Sequence, residues 1–381
     1  MTRSFWLEEG RGSLRHAPLA RPDVEVVGGG VTGCACAFAL ARGGLRVRLH
    51  EAREVAGGAS GRNGGFALRG GAAAYDQACG QLGRERAGAL WRLTERALDR
   101  IEALAGDAFV RTGSLRLAAD PAERSSLEAE LAALRADGFA AEWEEELPPP
   151  LQGRFHGGIR HVPDGTLQPA RWVRRLAGQA AEAGVEIREG SCVVSLEELS
   201  ADQVVLATDG YTHGLVPALD AAVRPIRGQV LVTEPLSERL FGCPHYARGG
   251  YDYWHQTAEG RLVFGGRRDA DLEAEQTAEE KTTPPVQQAL EHAVRELVGS
   301  LPRVTHRWAG IWGLTADLLP LAGRIPGHEG LWAACGYAGH GNVLGFACGE
   351  LVAEAILGRS APGLDLFAPE RLLQAESGDT G

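Results

Sequence analysis

A chain of 381 residues with 44% hydrophobic content exceeds what one hydrophobic core usually serves, so two domains are expected. A formal net charge of −11 argues against a nucleic-acid partner, because phosphate binding needs a basic face. No run reaches ~18 uninterrupted apolar residues and the charged lead segment, residues 1–21, has no apolar signal core, so a cytoplasmic protein without a membrane span is expected.

Phe5-Trp6-Leu7 reads as an aromatic anchor onto a domain. Val24, Val26 and Val27 then form a β-branched strand that runs into Gly28-Gly29-Gly30-Val31-Thr32-Gly33, and Ala35 to Ala41 is a helix of small residues. Strand, glycine turn and helix in that order suit a dinucleotide: Gly28 makes the tight turn, Gly30 admits the pyrophosphate, and Gly33 lets helix and strand pack closely. Leu45 to His50 reads as the next strand, and Glu51, 18 residues past Gly33, stands where an acid meets a ribose hydroxyl. Residues 55–66 are dense in glycine around Arg62-Asn63, a composition that lets backbone pass close to a flat ligand.

Apolar spacing predicts helices over 84–104, 121–136 and 169–183, the last closed by Gly184, and strands over 110–117, 185–187 and 204–207. Glu142-Trp143-Glu144-Glu145-Glu146 reads as a solvated acidic face. Strands over 223–233 and 262–265 flank a Tyr- and Trp-rich segment, 246–256, and a helix follows over 286–298. The strand Leu331 to Cys335, the glycine turn Gly336 to Gly341 and the helix Val343 to Leu357 repeat the opening pattern at the far end. The dinucleotide domain is therefore expected to be discontinuous, over residues 1–80, 155–220 and 300–381, with a β-rich substrate domain over 81–154 and 221–299.

Lys281 is the only lysine and lies in a linker-like segment, which argues against lysine Schiff-base chemistry. The seven cysteines show no zinc spacing and are expected as reduced thiols, with Cys34 and Cys36 as core filler; no metal site is expected.

A late helix aimed at a flavin ring would supply partial positive charge where the reduced ring needs it, and Gly336 to Gly341 fits that demand. The motifs at 27–33, 58–65 and 204–210, Arg227-Gly228-Gln229 and Gly336-Tyr337-Ala338-Gly339-His340-Gly341 together resemble the D-amino-acid oxidase superfamily of FAD enzymes over nearly the whole chain. The loop Gly58-Ala59-Ser60-Gly61-Arg62-Asn63-Gly64-Gly65 most resembles the branch typified by gamma-glutamylputrescine oxidase. This resemblance implies an α/β plus α+β fold, with a Rossmann-like FAD domain of the glutathione-reductase type and a sheet-rich substrate domain. It implies oxidation of a C–N bond by hydride transfer to flavin N5, giving an imine that water hydrolyses. On it the cofactor is assigned to Gly28, Gly30, Val31, Thr32, Gly33, Glu51 and Ala52, to Ala59, Ser60, Arg62, Asn63, Gly64 and Gly65, to Val193, Val194, Ala207, Thr208 and Gly210, and to Gly336, Gly339, His340, Gly341 and Asn342.

Three departures from the family carry information. Gly310, Ile311 and Trp312 precede Thr315-Ala316-Asp317 where sarcosine-oxidase-like relatives carry a flavin-linking cysteine, so non-covalent FAD is expected. No lysine stands on 262–265, where those relatives place an oxygen-activating one, which leaves O2 and another electron acceptor both open. Trp312-Gly313 replaces the Arg-Pro pair that clamps an α-carboxylate, which points away from a simple D-amino acid and towards an amine, polyamine derivative or N-substituted amino acid. Tyr251, Tyr253, Trp254, Trp312 and His340 are the candidate substrate-site residues, and Arg69 or Arg267 could meet an acidic substrate group or form a surface salt bridge. The alternatives are a flavoprotein subunit that needs a partner, a D-amino-acid dehydrogenase-like enzyme, and an NAD-binding dehydrogenase with no flavin.

Overall fold

The computed structural model describes residues 2–10, 14 and 18–373, so the lead segment 1–21 falls partly outside the described residues. The chain forms two compact units, each assembled from separated stretches. One comprises Glu9–Gly61, Pro169–Ile226 and the chain from Trp312 onward; the other comprises the N-terminal residues up to Glu8, Arg62–Gln168 and Arg227–Ile311. Residues 62–80, 155–168 and 300–311, expected with the dinucleotide elements, belong instead to the second unit. Backbone pairing is the reason: Phe66–Ala67 and Phe109–Val110 both pair with Gly165–Leu167, and Val304–Leu314 joins that unit's large sheet.

The first unit is built on a six-stranded sheet in the order Leu321–Arg324, Leu331–Cys335, Gln203–Leu206, Val24–Val27, Val47–His50 and Glu186–Arg188. All neighbours run parallel except Leu321–Arg324. A parallel sheet is covered on both faces, which explains why Val24–Val27 and Val47–His50 are buried at every position. Helix Val31–Arg42 packs against Pro169–Glu182 and Gly341–Ile356. The last contact is close because Gly349 has no side chain; a Cβ there would lie 2.4 Å from the carbonyl oxygen of Thr32. Arg48, on the second strand, joins Glu186 at 2.7 Å and Glu25 at 3.1 Å in a buried ionic group. Residues 192–194 form no strand. Ser195 caps a 3-10 turn, and Glu198 accepts the amides of Val194 and Ser195, so local side-chain bonds replace a ladder.

The second unit carries an eight-stranded sheet in the order Val304–Leu314, Arg224–Pro235, Arg261–Gly266, Asp252–Gln256, His245–Ala247, Ser114–Leu117, Gly158–His161 and Ala141–Glu144. His245–Ala247 and Ser114–Leu117 pair parallel. The strand expected over 110–117 breaks at Gly113 (φ +69°), and its halves enter different sheets. The acidic run is an edge strand: Glu144 pairs with Arg160, and Arg124 lies 5.1 Å over the Trp143 ring. Helix Pro284–Val298 starts on two prolines and stops at Gly299 (φ +79°); it buries Leu290 and Val294 against Leu231, Trp254 and Phe264 of the sheet. All seven cysteines are free, and among the described residues no helix is long and apolar enough to cross a membrane.

Candidate functional site

The chemistry of the first unit gathers at the carboxyl edge of its sheet. Gly28 leaves strand Val24–Val27 at φ +113°, a conformation that side chains resist, and a Cβ there would lie 2.4 Å from the carbonyl oxygen of Ala207. A Cβ on Gly33 would lie 1.9 Å from the Gly28 carbonyl oxygen, so only glycine lets the helix start this close to the strand. The Val31 amide donates to Ser60 Oγ at 3.0 Å. The amides of Thr32 and Gly33, in the first helical turn, have no acceptor within the helix and suit a phosphate. Glu51, buried at the end of Val47–His50, accepts the amides of Gly29 and Arg53, each at 2.8 Å, so its carboxylate is fixed at the strand end while Ala52 is exposed. Burial pushes the Glu51 carboxyl up; those two N–H donors oppose the shift. These features fit the pyrophosphate and ribose of FAD.

The second glycine cluster is organised by a side chain. Asp209 (φ +47°) turns the chain after strand Gln203–Leu206, and its Oδ1 accepts the amides of Gly336 at 2.9 Å and Tyr337 at 3.4 Å. Its Oδ2 accepts the Gly313 amide at 3.1 Å. One carboxylate thus ties three segments together: the Thr208–Gly210 turn, the chain after Trp312, and the start of the Gly336–Gly341 turn. Gly210 packs on the Trp312 carbonyl, where a Cβ would be 2.6 Å away, and Thr208 shares a hydrogen bond with Thr212. His340 is the N-cap residue of helix Gly341–Ile356, and its Nδ1 lies 3.4 Å from the Ala338 carbonyl. Gly339 is exposed, and Asn342 is half-buried in the first turn of that helix. Val193 packs onto this unit's core, while Val194 is 71% exposed.

Several assignments are corrected in the second unit. The guanidinium of Arg62 is buried and donates to the carbonyls of Thr2 and Ala309 while pairing with Glu280, so it holds protein together rather than a ligand. Asn63 accepts the Gly65 amide and, through its carbonyl, the Trp6 indole, which also shows what anchors the N-terminal aromatic pair. Gly64 and Gly65 give this loop its close approach: a Cβ on Gly64 would meet the Tyr253 ring at 2.9 Å. Trp254 is a core residue, stacked between His245 and Phe264 beneath helix Pro284–Val298. Strand period two is the reason: Tyr253 and Trp254 are consecutive and point to opposite faces. Tyr253 keeps the other face, while Tyr251 lies in the turn before the strand with Arg268 4.7 Å over its ring. Arg69 is paired with Glu95 and Arg267 with Asp252.

Two groups were not singled out from sequence. Asp209 was visible only as part of a Thr-Asp-Gly turn; an acceptor-only side chain before a glycine at a strand end was its signal. Arg116 and Tyr246 are cross-strand partners on the face that carries Tyr253. The alternation of Leu115, Arg116 and Leu117 in a strand was the signal there.

Comparison with known proteins agrees with this architecture. A family model described as FAD dependent oxidoreductase matches residues 23–355. The chain is 30% identical to a probable oxidoreductase, OrdL, of Rhizobium meliloti (strain 1021), over 91% of this chain and 85% of that protein. It is 28% identical to the gamma-glutamylputrescine oxidoreductase of Escherichia coli (strain K12), over 91% and 86%. The crystal structure of glycine oxidase from Geobacillus kaustophilus superposes with a TM-score of 0.77 at 23% identity, covering 94% of this chain and 100% of that one. The glycine cradle, the paired turns at the two ends of the parallel sheet unit and a match across most of the sequence lead to one assignment: the chain belongs to the FAD dependent oxidoreductase (DAO) family.

Proposed function

We propose that this FAD-dependent oxidoreductase oxidises the C–N bond of an amine, a polyamine derivative or an N-substituted amino acid, with O2 or another compound as the final electron acceptor. Bound non-covalently, FAD would accept the hydride at N5. Gly28, Gly30 and Gly33 with the first amides of helix Val31–Arg42 would hold its pyrophosphate, and Glu51 its ribose. The Gly336–Gly341 turn, fixed by Asp209, would direct the last helix's N-terminus at the ring, and we assign Trp312 and His340 to that turn region.

The work of the second unit is to bind and orient an amine and to exclude water. The observation that carries the amine assignment is the strand face bearing Tyr253, aromatic and without a strong base. His255, next along that face, is taken down to about 4 by burial and is neutral at pH 7. Burial also pushes the Tyr253 phenol up, so it stays protonated. Aromatic faces suit an amine, and hydride loss from an unprotonated amine needs no strong base. The names of two relatives, gamma-glutamylputrescine oxidoreductase and glycine oxidase, support the same substrate class. The free thiols suit a reducing compartment, and we place the protein in the cytoplasm.

The test is anaerobic mixing of the purified yellow protein with a panel of primary amines, secondary amines and amino acids. Bleaching of the flavin by an amine is the expected result, and the rate of recolouring in air separates O2 from another acceptor. A protein that fails to take up FAD, or a flavin that no member of the panel reduces, would overturn the proposal.

A further inference from the structure

Within the first unit, Glu51 is held from two directions, and one of them ends on a buried histidine. The Glu51 carboxylate is fixed by the amides of Gly29 and Arg53. Its backbone is fixed across the sheet edge: the Glu51 amide donates to the Arg188 carbonyl at 2.9 Å, and the Glu51 carbonyl accepts the Ser191 amide at 2.8 Å. Ser191 lies past the end of strand Glu186–Arg188, so other bonds must keep it there. The Gly190 amide donates to the Arg53 carbonyl at 2.8 Å, and the half-buried Ser191 places its hydroxyl 3.0 Å from His50 Nδ1.

His50 is the last residue of its strand and 7% exposed, and its carbonyl accepts the amide of Gly28 at 2.8 Å. One residue thus touches the first cradle glycine with its backbone and the chain beside Glu51 with its ring. The other ring nitrogen, Nε2, lies 3.3 Å from Glu25 Oε1. Burial opposes ionisation of Glu25, but the amides of Ala201 and Ser200, with His50 and Arg48, outweigh it and hold its carboxyl below the usual range. An ionised carboxylate can only accept, so Nε2 carries the hydrogen. Burial lowers His50; Glu25 pulls the other way, while Arg188 and Arg48 side with burial. Glu186, paired with both arginines, balances the surroundings at two acids and two cations, and the ring is neutral at pH 7. Nδ1 is then an acceptor, and the Ser191 hydroxyl donates to it.

Glu25 has little need of this histidine. Arg48 Nη1 and the amides of Ser200 and Ala201 already bond it at 3.1, 2.7 and 3.0 Å, each closer than His50. The better bond of the ring is the one to Ser191. We propose that His50 is a positioning residue for the adenosine half of FAD: through Ser191 it holds residues 190–193 beside Glu51, and so keeps the ribose acid and its neighbouring chain in place to bind. This inference rests on the placement of the ribose at Glu51 given above.

The experiment titrates FAD and ADP onto the chain freed of flavin, with urea midpoints read alongside. Ser191→Ala removes the hydroxyl and Ser191→Thr restores it. At position 50 two amides separate the two bonds of the ring: asparagine sets its oxygen near the place of Nδ1 and can meet Ser191, whereas glutamine reaches towards Glu25 in place of Nε2. Ser191→Ala and His50→Gln should each weaken FAD and ADP by the same factor, about 5- to 20-fold, while Ser191→Thr and His50→Asn stay within about 3-fold of wild type. A histidine that serves only the ionic group gives the opposite order, glutamine tolerated and asparagine not, and that order overturns the role. Unchanged affinity in Ser191→Ala, or a loss for FAD that ADP does not share, overturns it equally. Glu51→Gln is the reference. If it leaves both affinities unchanged, the ribose placement itself fails; if it weakens both while Ser191→Ala does not, only the role of His50 fails.

Discussion

Replacing Asp209 by alanine removes the acceptor for amides on two other segments, and its consequence can be sized from the geometry. Two of the three bonds are well formed, from Gly336 at 2.9 Å and Gly313 at 3.1 Å; the third, from Tyr337, is long at 3.4 Å. A hydrogen bond to a charged group contributes about 1.5–3 kcal/mol, which gives about 3–6 kcal/mol for the pair. Against this, the site raises the Asp209 carboxyl through desolvation, so the ionised form is partly penalised in the native state and the lower half of the range is expected. Alanine at φ +47° adds about 1 kcal/mol of strain, whereas asparagine tolerates that conformation and keeps one acceptor oxygen. Urea unfolding should therefore order the proteins wild type, Asp209→Asn, Asp209→Ala, with a total loss of about 4–5.5 kcal/mol at alanine. FAD affinity, followed by flavin fluorescence quenching, should fall in the same order. An alanine variant within ~0.5 kcal/mol of wild type that still holds FAD normally would refute the argument that this carboxylate organises the turn.

Gly33→Val places carbon atoms where Cβ alone is 1.9 Å from the Gly28 carbonyl; the helix must move off the strand, and purification should yield protein without yellow colour. Glu51→Gln puts an amide NH2 where an oxygen now accepts a backbone N–H, so FAD affinity by fluorescence titration should fall about 10-fold or more. Asp164, buried beneath Ser114 and the Arg69 amide, is raised by burial from 3.8 to about 6. Its folded form binds the proton more tightly than the unfolded chain, so its contribution is fully present below about pH 4 and is lost as pH rises through 6, a swing of about 3 kcal/mol. Asp164→Asn should remove that swing, seen as a smaller difference in melting temperature between pH 4 and pH 8 than wild type shows.

Much of the first unit was legible because its signals are local. A β-branched run, glycines at fixed spacing, a helix of small residues and an acid at the next strand end each follow from neighbouring residues, and strands Val24–Val27 and Leu331–Cys335 and helix Gly341–Ile356 lie close to where pattern places them. What escaped depends on pairing between distant segments. Ser114–Leu117 and His245–Ala247 pair parallel although far apart in sequence, and nothing within either short strand announces the other. Arg62 is instructive in the same way: set among glycines it suggests a ligand contact, yet its partners are Thr2, Ala309 and Glu280, brought together only by the fold. Trp254 was misassigned by grouping aromatics along the chain without the strand period that separates them.

Buried charges in this protein differ in how completely they are satisfied. Arg48 bonds Glu25, Glu186 and the Leu19 carbonyl; Glu25 in turn accepts the amides of Ser200 and Ala201, and Glu186 accepts that of Leu19. That group is closed: the principal charges have partners, as a buried ionic cluster must if desolvation is not to outweigh attraction. Arg62 spreads its contacts over the carbonyls of Thr2 and Ala309 and the carboxylate of Glu280. Arg116 is held by one charged partner, the buried Glu130, at 2.7 Å, and its Nε, like that of Arg69, is buried without an acceptor among the described residues. An apolar residue at position 116 alone would strand the buried Glu130 carboxylate, so the two charges are kept or replaced together.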